Sequence, residues 1–133
     1  MPENHKDTTV TNGIQISVET FYQADISSPR RANYVFAYRI TIDNKSPYTV
    51  QILRRHWFIY DSLGDWSEVE GEGIVGQQPV LEPGDRHQYV SGTHLCTDIG
   101  TMHGTYLVQR AADAAQFEAH IPRFLLLADF RKN

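Results

Sequence analysis

The 133-residue chain has a single cysteine, Cys96. One thiol cannot form an internal disulfide, which excludes the stapled scaffolds of small secreted proteins and points to a reducing compartment. Long apolar runs are also missing. The longest, Phe124-Leu125-Leu126-Leu127-Ala128, falls far short of the roughly eighteen residues a membrane-spanning helix needs. Met1 to Val10 is polar and lacks the apolar segment of a signal peptide. The expectation is a soluble, cytoplasmic protein of bacterial type. Basic excess is absent: 12 Lys and Arg stand against 16 Asp and Glu, a net charge of −4. That removes the electrostatic footprint of a nonspecific nucleic-acid binder, while leaving enough cations for a local anion site. Repeats and amphipathic helical patterns are absent. Ala111-Ala112-Asp113-Ala114-Ala115 has helical propensity but is too short for a stable helix, and reads as a hairpin connection.

What is present is strand after strand. Ile14-Gln15-Ile16-Ser17-Val18-Glu19 alternates strictly, as a strand with one wet face does. Tyr34, Phe36, Tyr38, Ile40 and Ile42 hold one face of a long strand, closed by the turn Asn44-Lys45-Ser46-Pro47. Val50 to Tyr60 is apolar on both parities but interrupted by Arg54-Arg55-His56, and Leu63-Gly64-Asp65 turns it into a short strand at Trp66–Val69. Further strands are predicted at 79–81, 87–91, 100–110 and 116–128. Pro122 in the last marks an edge or a bulge. The pattern predicts one all-β domain, an antiparallel sandwich of about seven to eight strands. Residues 1–12 read as a flexible N-terminal arm, 13–128 as the domain and 129–133 as a C-terminal tail.

Chemistry-bearing residues are few. Gly71-Glu72-Gly73-Ile74-Val75-Gly76 has the spacing of a dinucleotide-binding loop. The helix such a loop needs is forbidden by Pro79 and Pro83 just beyond it. A loop between sandwich strands, or a nest of backbone amides for an anion, is what remains. In Arg54-Arg55-His56-Trp57 alternate residues face opposite ways. At least one arginine leans on apolar surface with its head on a carboxylate or carbonyl, and Glu68, Glu70 and Glu72 stand nearby as partners. The functional alternative is a phosphate or carboxylate clamp beside the glycine loop. His94, Cys96 and His103 match no zinc spacing, and Ser91, His94 and Asp98 lack an elbow or oxyanion loop. No metal, cofactor or catalytic residue is assigned. The tryptophans and tyrosines read as core and sheet packing, an exposed aromatic patch marking a protein interface.

Several blocks stand in order: 34–42, Arg55-His56-Trp57, 69–79, Leu81-Glu82-Pro83-Gly84, Tyr89-Val90-Ser91-Gly92 and Gly100-Thr101-Met102-His103-Gly104 with Tyr106. Together they resemble the ApaG family over about residues 13–128. The resemblance implies an immunoglobulin-like or fibronectin-III-like sandwich. It also implies an association, by name, with cobalt and magnesium resistance or efflux, and genes that neighbour a diadenosine-tetraphosphate hydrolase. It carries no catalytic residues. The nucleotide pyrophosphate site suggested for the family's glycine run would fall on Gly71, Gly73 and Gly76. The chain departs from the family pattern at Thr93-His94-Leu95-Cys96 and at 111–115.

Two expectations follow. One is a non-enzymatic module that binds a protein partner or a nucleotide-like anion through Gly71, Gly73, Gly76, Arg54, Arg55 and His56. The other is nucleotide or pyrophosphate binding, with phosphoanhydride hydrolysis, at the glycine loop. Free sandwich edges also permit a homodimer by strand pairing.

Overall fold

The computed structural model describes residues 6–128. Nine strands are observed among the described residues, where seven to eight were expected. Strand β1 is Lys6–Thr11 and β2 is Ile14–Tyr22. Residues 6–11, read from the sequence as part of a flexible arm, therefore belong to the sheet. They pair antiparallel with β2, from Lys6 opposite Glu19 to Thr11 opposite Ile14. The hairpin between them is made by Asn12 and Gly13, at φ 49° and 81°. That is the Asn-Gly pair whose positive φ at both central residues matches the twist of paired strands. Residues 1–5 and the expected tail 129–133 lie outside the described residues.

Two short 3-10 turns (Ala24–Ile26 and Pro29–Arg31) lead into β3 (Tyr34–Asn44). After β3 come β4 (Val50–Asp61), β5 (Trp66–Glu72) and the two-residue β6 (Val80–Leu81). The chain ends with β7 (Arg86–Leu95), β8 (Ile99–Arg110) and β9 (Gln116–Leu127). The first sheet has the order β1-β2-β3-β7. The second has the order β5-β4-β8-β9, with β6 on β4, and all named pairs are antiparallel. The chain crosses between sheets after β3, before β7 and after β7, so the two layers interleave in a sandwich. The inward rows of both layers, including Ile16, Ile40, Ile42, Ile52, Tyr106, Val108 and Leu126, make one continuous core.

Two β-bulges reset the inward face. In β9 the register slips opposite Met102/Gly104, beside Pro122. The buried row therefore passes from Ala119 and Ile121 to Phe124 and Leu126. Proline has no N–H for the ladder, so an edge strand with a bulge is where it fits. In β4 the register slips between Ile52 and Arg54. Val50 and Ile52 point inward before it, and Trp57 after it. This explains a strand that is apolar on both parities.

The sandwich has two lateral seams, and they differ. On one side β1 is stitched to the β9 edge. The Thr9 hydroxyl donates to the His120 carbonyl at 2.5 Å, and the His120 amide donates to the Thr11 hydroxyl at 3.1 Å. On the other side the edge strands β5 and β7 bound a cleft.

Candidate functional site

The bulge at Leu53 decides what Arg55 does. Without it, Ile52 would share a face with Arg54 and His56, as simple alternation predicts. With it, Ile52, Arg55 and Trp57 share the inner face, and Arg54, His56 and Phe58 face out. Arg55 turns toward the cleft, and its Nη1 donates to the carbonyls of Glu72 at 2.9 Å and Gly73 at 3.1 Å. The arginine head is thus held by carbonyls, and none of Glu68, Glu70 or Glu72 forms an ion pair with it. Its guanidinium lies flat over Gly71, where a Cβ would sit 3.1 Å from both terminal nitrogens.

The glycine run closes as a tight turn. Ile74 and Gln77 exchange backbone hydrogen bonds at 2.6 and 3.0 Å, with Val75 and Gly76 at φ 48° and 76° between them. The Gly73 amide donates to the Leu53 carbonyl at 2.7 Å, anchoring the turn to the bulge. The amides of Gly73, Ile74 and Gln77 are therefore spent on backbone carbonyls. Ile74 is packed into the core and Val75 is exposed.

Between this turn and β7 lies a cavity of about 330 Å3. Its walls are apolar, from Trp57, Ile59, Val69, Ile74, Val75 and Met102, and its polar groups are Arg55, Tyr38, Tyr89, Ser91 and Thr93. The Tyr89 and Tyr106 hydroxyls are hydrogen-bonded to each other. The Tyr38 hydroxyl stands beside the Ser91 side chain. Burial pushes all three phenols above their ordinary range, while the Arg55 charge pulls each back. They stay protonated donors at neutral pH. Among the described residues neither a carboxylate nor an imidazole lines the cavity.

Sequence reasoning grouped Gly71, Gly73, Gly76, Arg54, Arg55 and His56 as one site, and the structure divides them. Arg55 joins the glycine turn inside the seam. Arg54 and His56 lie on the outer face of the second sheet, where His56 Nε2 meets Glu68 Oε2 at 2.5 Å. His56, Glu68 and Glu70 could offer an ion three ligand atoms within 4.8 Å of one another. This group faces away from the cleft. The same outer face carries a row of stacked rings, with Phe58 and Tyr60 each stacked on His103 at 5.2 and 5.7 Å. Trp66 ends the row with 58 % of its surface exposed. Ser91 points into the cleft while His94, three residues on, is exposed, so the two do not form a nucleophile–base pair. His94, Cys96 and His103 do not converge among the described residues.

The cleft tyrosines were missed as site residues and read as packing. The signal was available: a buried phenol needs a hydrogen-bond partner, and Tyr38 and Tyr106 fall on inward parities next to Arg55.

No helix among the described residues is long and apolar enough to cross a membrane. The ApaG domain family matches residues 24–110. Protein ApaG of Brucella canis is 50% identical over 117 residues, spanning 88% of this chain and 89% of its own. Protein ApaG of Paramagnetospirillum magneticum is 49% identical over 116 residues, 87% of this chain and 88% of its own. A crystal structure of a Bordetella pertussis protein provisionally named ApaA superposes with a TM-score of 0.83 at 40% identity, covering 96% of this chain and 98% of that one. A motif order legible from the strands, a two-sheet sandwich and these likenesses across nearly the whole length agree: the chain belongs to the ApaG family.

Proposed function

We propose that the protein is a non-catalytic binding module that takes its ligand or partner at the open seam between β5 and β7. One observation carries this reading. A cavity of about 330 Å3, with apolar walls and a few hydroxyls, contains a guanidinium with no acidic partner among the described residues. Pockets with apolar walls and a few convergent polar groups are the usual form of a binding site. Among the described residues no imidazole or carboxylate lines the cleft to act as general base. A divalent ion held by His56, Glu68 and Glu70 would sit on the far face of the second sheet, out of reach of an anhydride bound in the cleft. The family's association with cobalt and magnesium tolerance is accordingly read as indirect.

The alternative, a nucleotide pyrophosphate cradled by the glycine run, draws less support, because three amides of that turn are already bonded to carbonyls. An NMR titration of the labelled protein separates the two. The probes are ATP, diadenosine tetraphosphate, pyrophosphate, small organic acids, Mg2+ and Co2+. Saturable shifts confined to residues 71–77 and 89–93, without turnover of diadenosine tetraphosphate in Mg2+, are expected. Metal-dependent turnover, or saturable shifts confined to the outer face, would overturn the reading.

A further inference from the structure

The geometry points to a carboxylate carried on an apolar body as the occupant of the β5/β7 cleft. This inference rests on the cleft being the binding site and names what it recognises.

The argument is a donor surplus. Arg55 has five N–H groups in a planar fork. Only Nη1 is engaged, by the carbonyls of Glu72 and Gly73. Nε and Nη2 have no partner among the described residues. That edge of the fork matches a planar carboxylate with two parallel hydrogen bonds. A second donor stands nearby. Tyr89 and Tyr106 point their hydroxyls at each other. In such a pair one proton bonds the two oxygens and the other is left over. Among the described residues no carboxylate lines the cavity to accept either donor. A cation therefore faces a cleft with apolar walls whose other polar groups are hydroxyls, and where Tyr106 donates to Tyr89 the spare phenol proton is on the cleft side, in a chain whose net charge is −4.

Shape and spent donors choose among anions. The volume, about 330 Å3, stands at the small end of the roughly 300–1,000 Å3 range of ligand pockets. It suits one ring or one side chain, and a dinucleotide is too large for it. A phosphate would bring up to two charges against one cation, and the Gly73, Ile74 and Gln77 amides, which could have joined a phosphate cradle, are already bonded to carbonyls. The walls from Trp57, Ile74 and Met102 favour an apolar body behind the acid group. Gly71 makes the arrangement fit, because any side chain there would press on the guanidinium.

Such a carboxylate has two sources, a free small acid or the C-terminus of an extended peptide. The test uses the whole chain, labelled with 15N. Its probes are 3-phenylpropanoate and its amide, inorganic phosphate, pyrophosphate, and a pentapeptide ending in phenylalanine with a free or amidated C-terminus. The acid should saturate shifts at residues 71–77 and 89–93, and the amide should bind at least about tenfold more weakly, as loss of a charged, bidentate contact implies. Arg55→Gln should cost about the same, and Arg55→Lys, which keeps charge without the fork, should lie between. Should Arg55→Gln unfold the glycine turn, Tyr89→Phe provides a second variant that leaves the Arg55 ties intact, with a loss of about threefold. If the free-acid peptide outbinds the small acid, the source is a protein terminus; the reverse order makes it a small molecule. Equal binding of acid and amide would overturn the inference, as would no saturation by either acid probe. Shifts in the cleft from phosphate or pyrophosphate alone would remove the carboxylate and leave the cleft as the site. Saturable shifts confined to the outer face would remove both.

Discussion

The two seams of this sandwich solve the same problem in opposite ways. At β1/β9 the exposed strand edge is covered. β1 lies along the sandwich side, and Thr9 and Thr11 satisfy the His120 carbonyl and amide. At β5/β7 the edges stay apart. The gap is propped by a glycine turn anchored to a bulge, with Arg55 spanning from β4 to the carbonyls of residues 72 and 73. Covered edges resist unwanted pairing. A propped gap costs packing and gains an interior polar group reachable from solvent. Many sites lie on loops; here a strand bulge and the tight turn anchored to it build the site together.

The largest expected effect comes from the prop itself. Gly73 has φ 66°, and a Cβ there would collide with the Gln77 carbonyl. Gly73→Ala should destabilise the protein by about 3 kcal/mol, from left-handed backbone strain plus the clash. Urea unfolding checks the size, and amide exchange should rise first across residues 71–78. An effect below 1 kcal/mol, on the order of an ordinary surface change, would mean that the turn is not a prop.

Next comes the far end of the open seam. Asp61 ties the end of β4 to the β7–β8 connection, accepting from the Cys96 amide at 2.9 Å, the Thr97 hydroxyl at 2.6 Å and the Leu63 amide at 3.1 Å. Burial alone would push this carboxyl up, but those hydrogen bonds together hold it below its ordinary value. The folded state then binds the proton more weakly than the unfolded chain does. Its contribution is full above the unfolded value near 4 and is lost as pH falls through the lower folded value. Asp61→Asn should cost about 1–2 kcal/mol at pH 7. It should also flatten the acid limb of a stability-against-pH curve. An unchanged acid limb would contradict the anchoring role.

The covered seam should be softer to perturb. Thr9→Val with Thr11→Val removes both stitches, at hydrogen bonds that water can replace, and should cost about 1 kcal/mol. Faster exchange is expected at β1 amides and none at β7. Smallest in stability is Gly71→Ala. The guanidinium gives by a few tenths of an ångström, so unfolding should move by no more than about 0.5 kcal/mol. Acid binding in the cleft should nonetheless weaken, because the fork has shifted. Loss of stability without loss of binding would reverse the assignment.

Much of the fold was legible because alternation is a strong signal. Ile14–Val18 and Tyr34–Ile42 announce their buried faces directly. β1 was not legible as a strand, since Lys6–Thr11 has no apolar period; its pairing is dictated by Asn12-Gly13, a hairpin signal that outweighs the polar sequence. The bulge at Leu53 was also invisible. Alternation alone put Arg55 opposite Ile52, and only the slipped register brings them to one face. This is why the glycine run and Arg55 meet while Arg54 and His56, adjacent in sequence, lie a sheet thickness away. The inward parity of Tyr38 and Tyr106 was legible and marks them as phenols in need of partners, but which partners they meet depends on β3, β7 and β8 coming together, which sequence spacing does not show.

The most direct measurement is the affinity of 3-phenylpropanoate for three proteins side by side: the unaltered chain, Arg55→Gln and the Thr9→Val/Thr11→Val pair. The account predicts that the Arg55 variant loses at least about tenfold in affinity while the threonine pair binds as the unaltered chain does. Equal loss in both variants, or none in either, would contradict the claim that the open seam is where this protein binds.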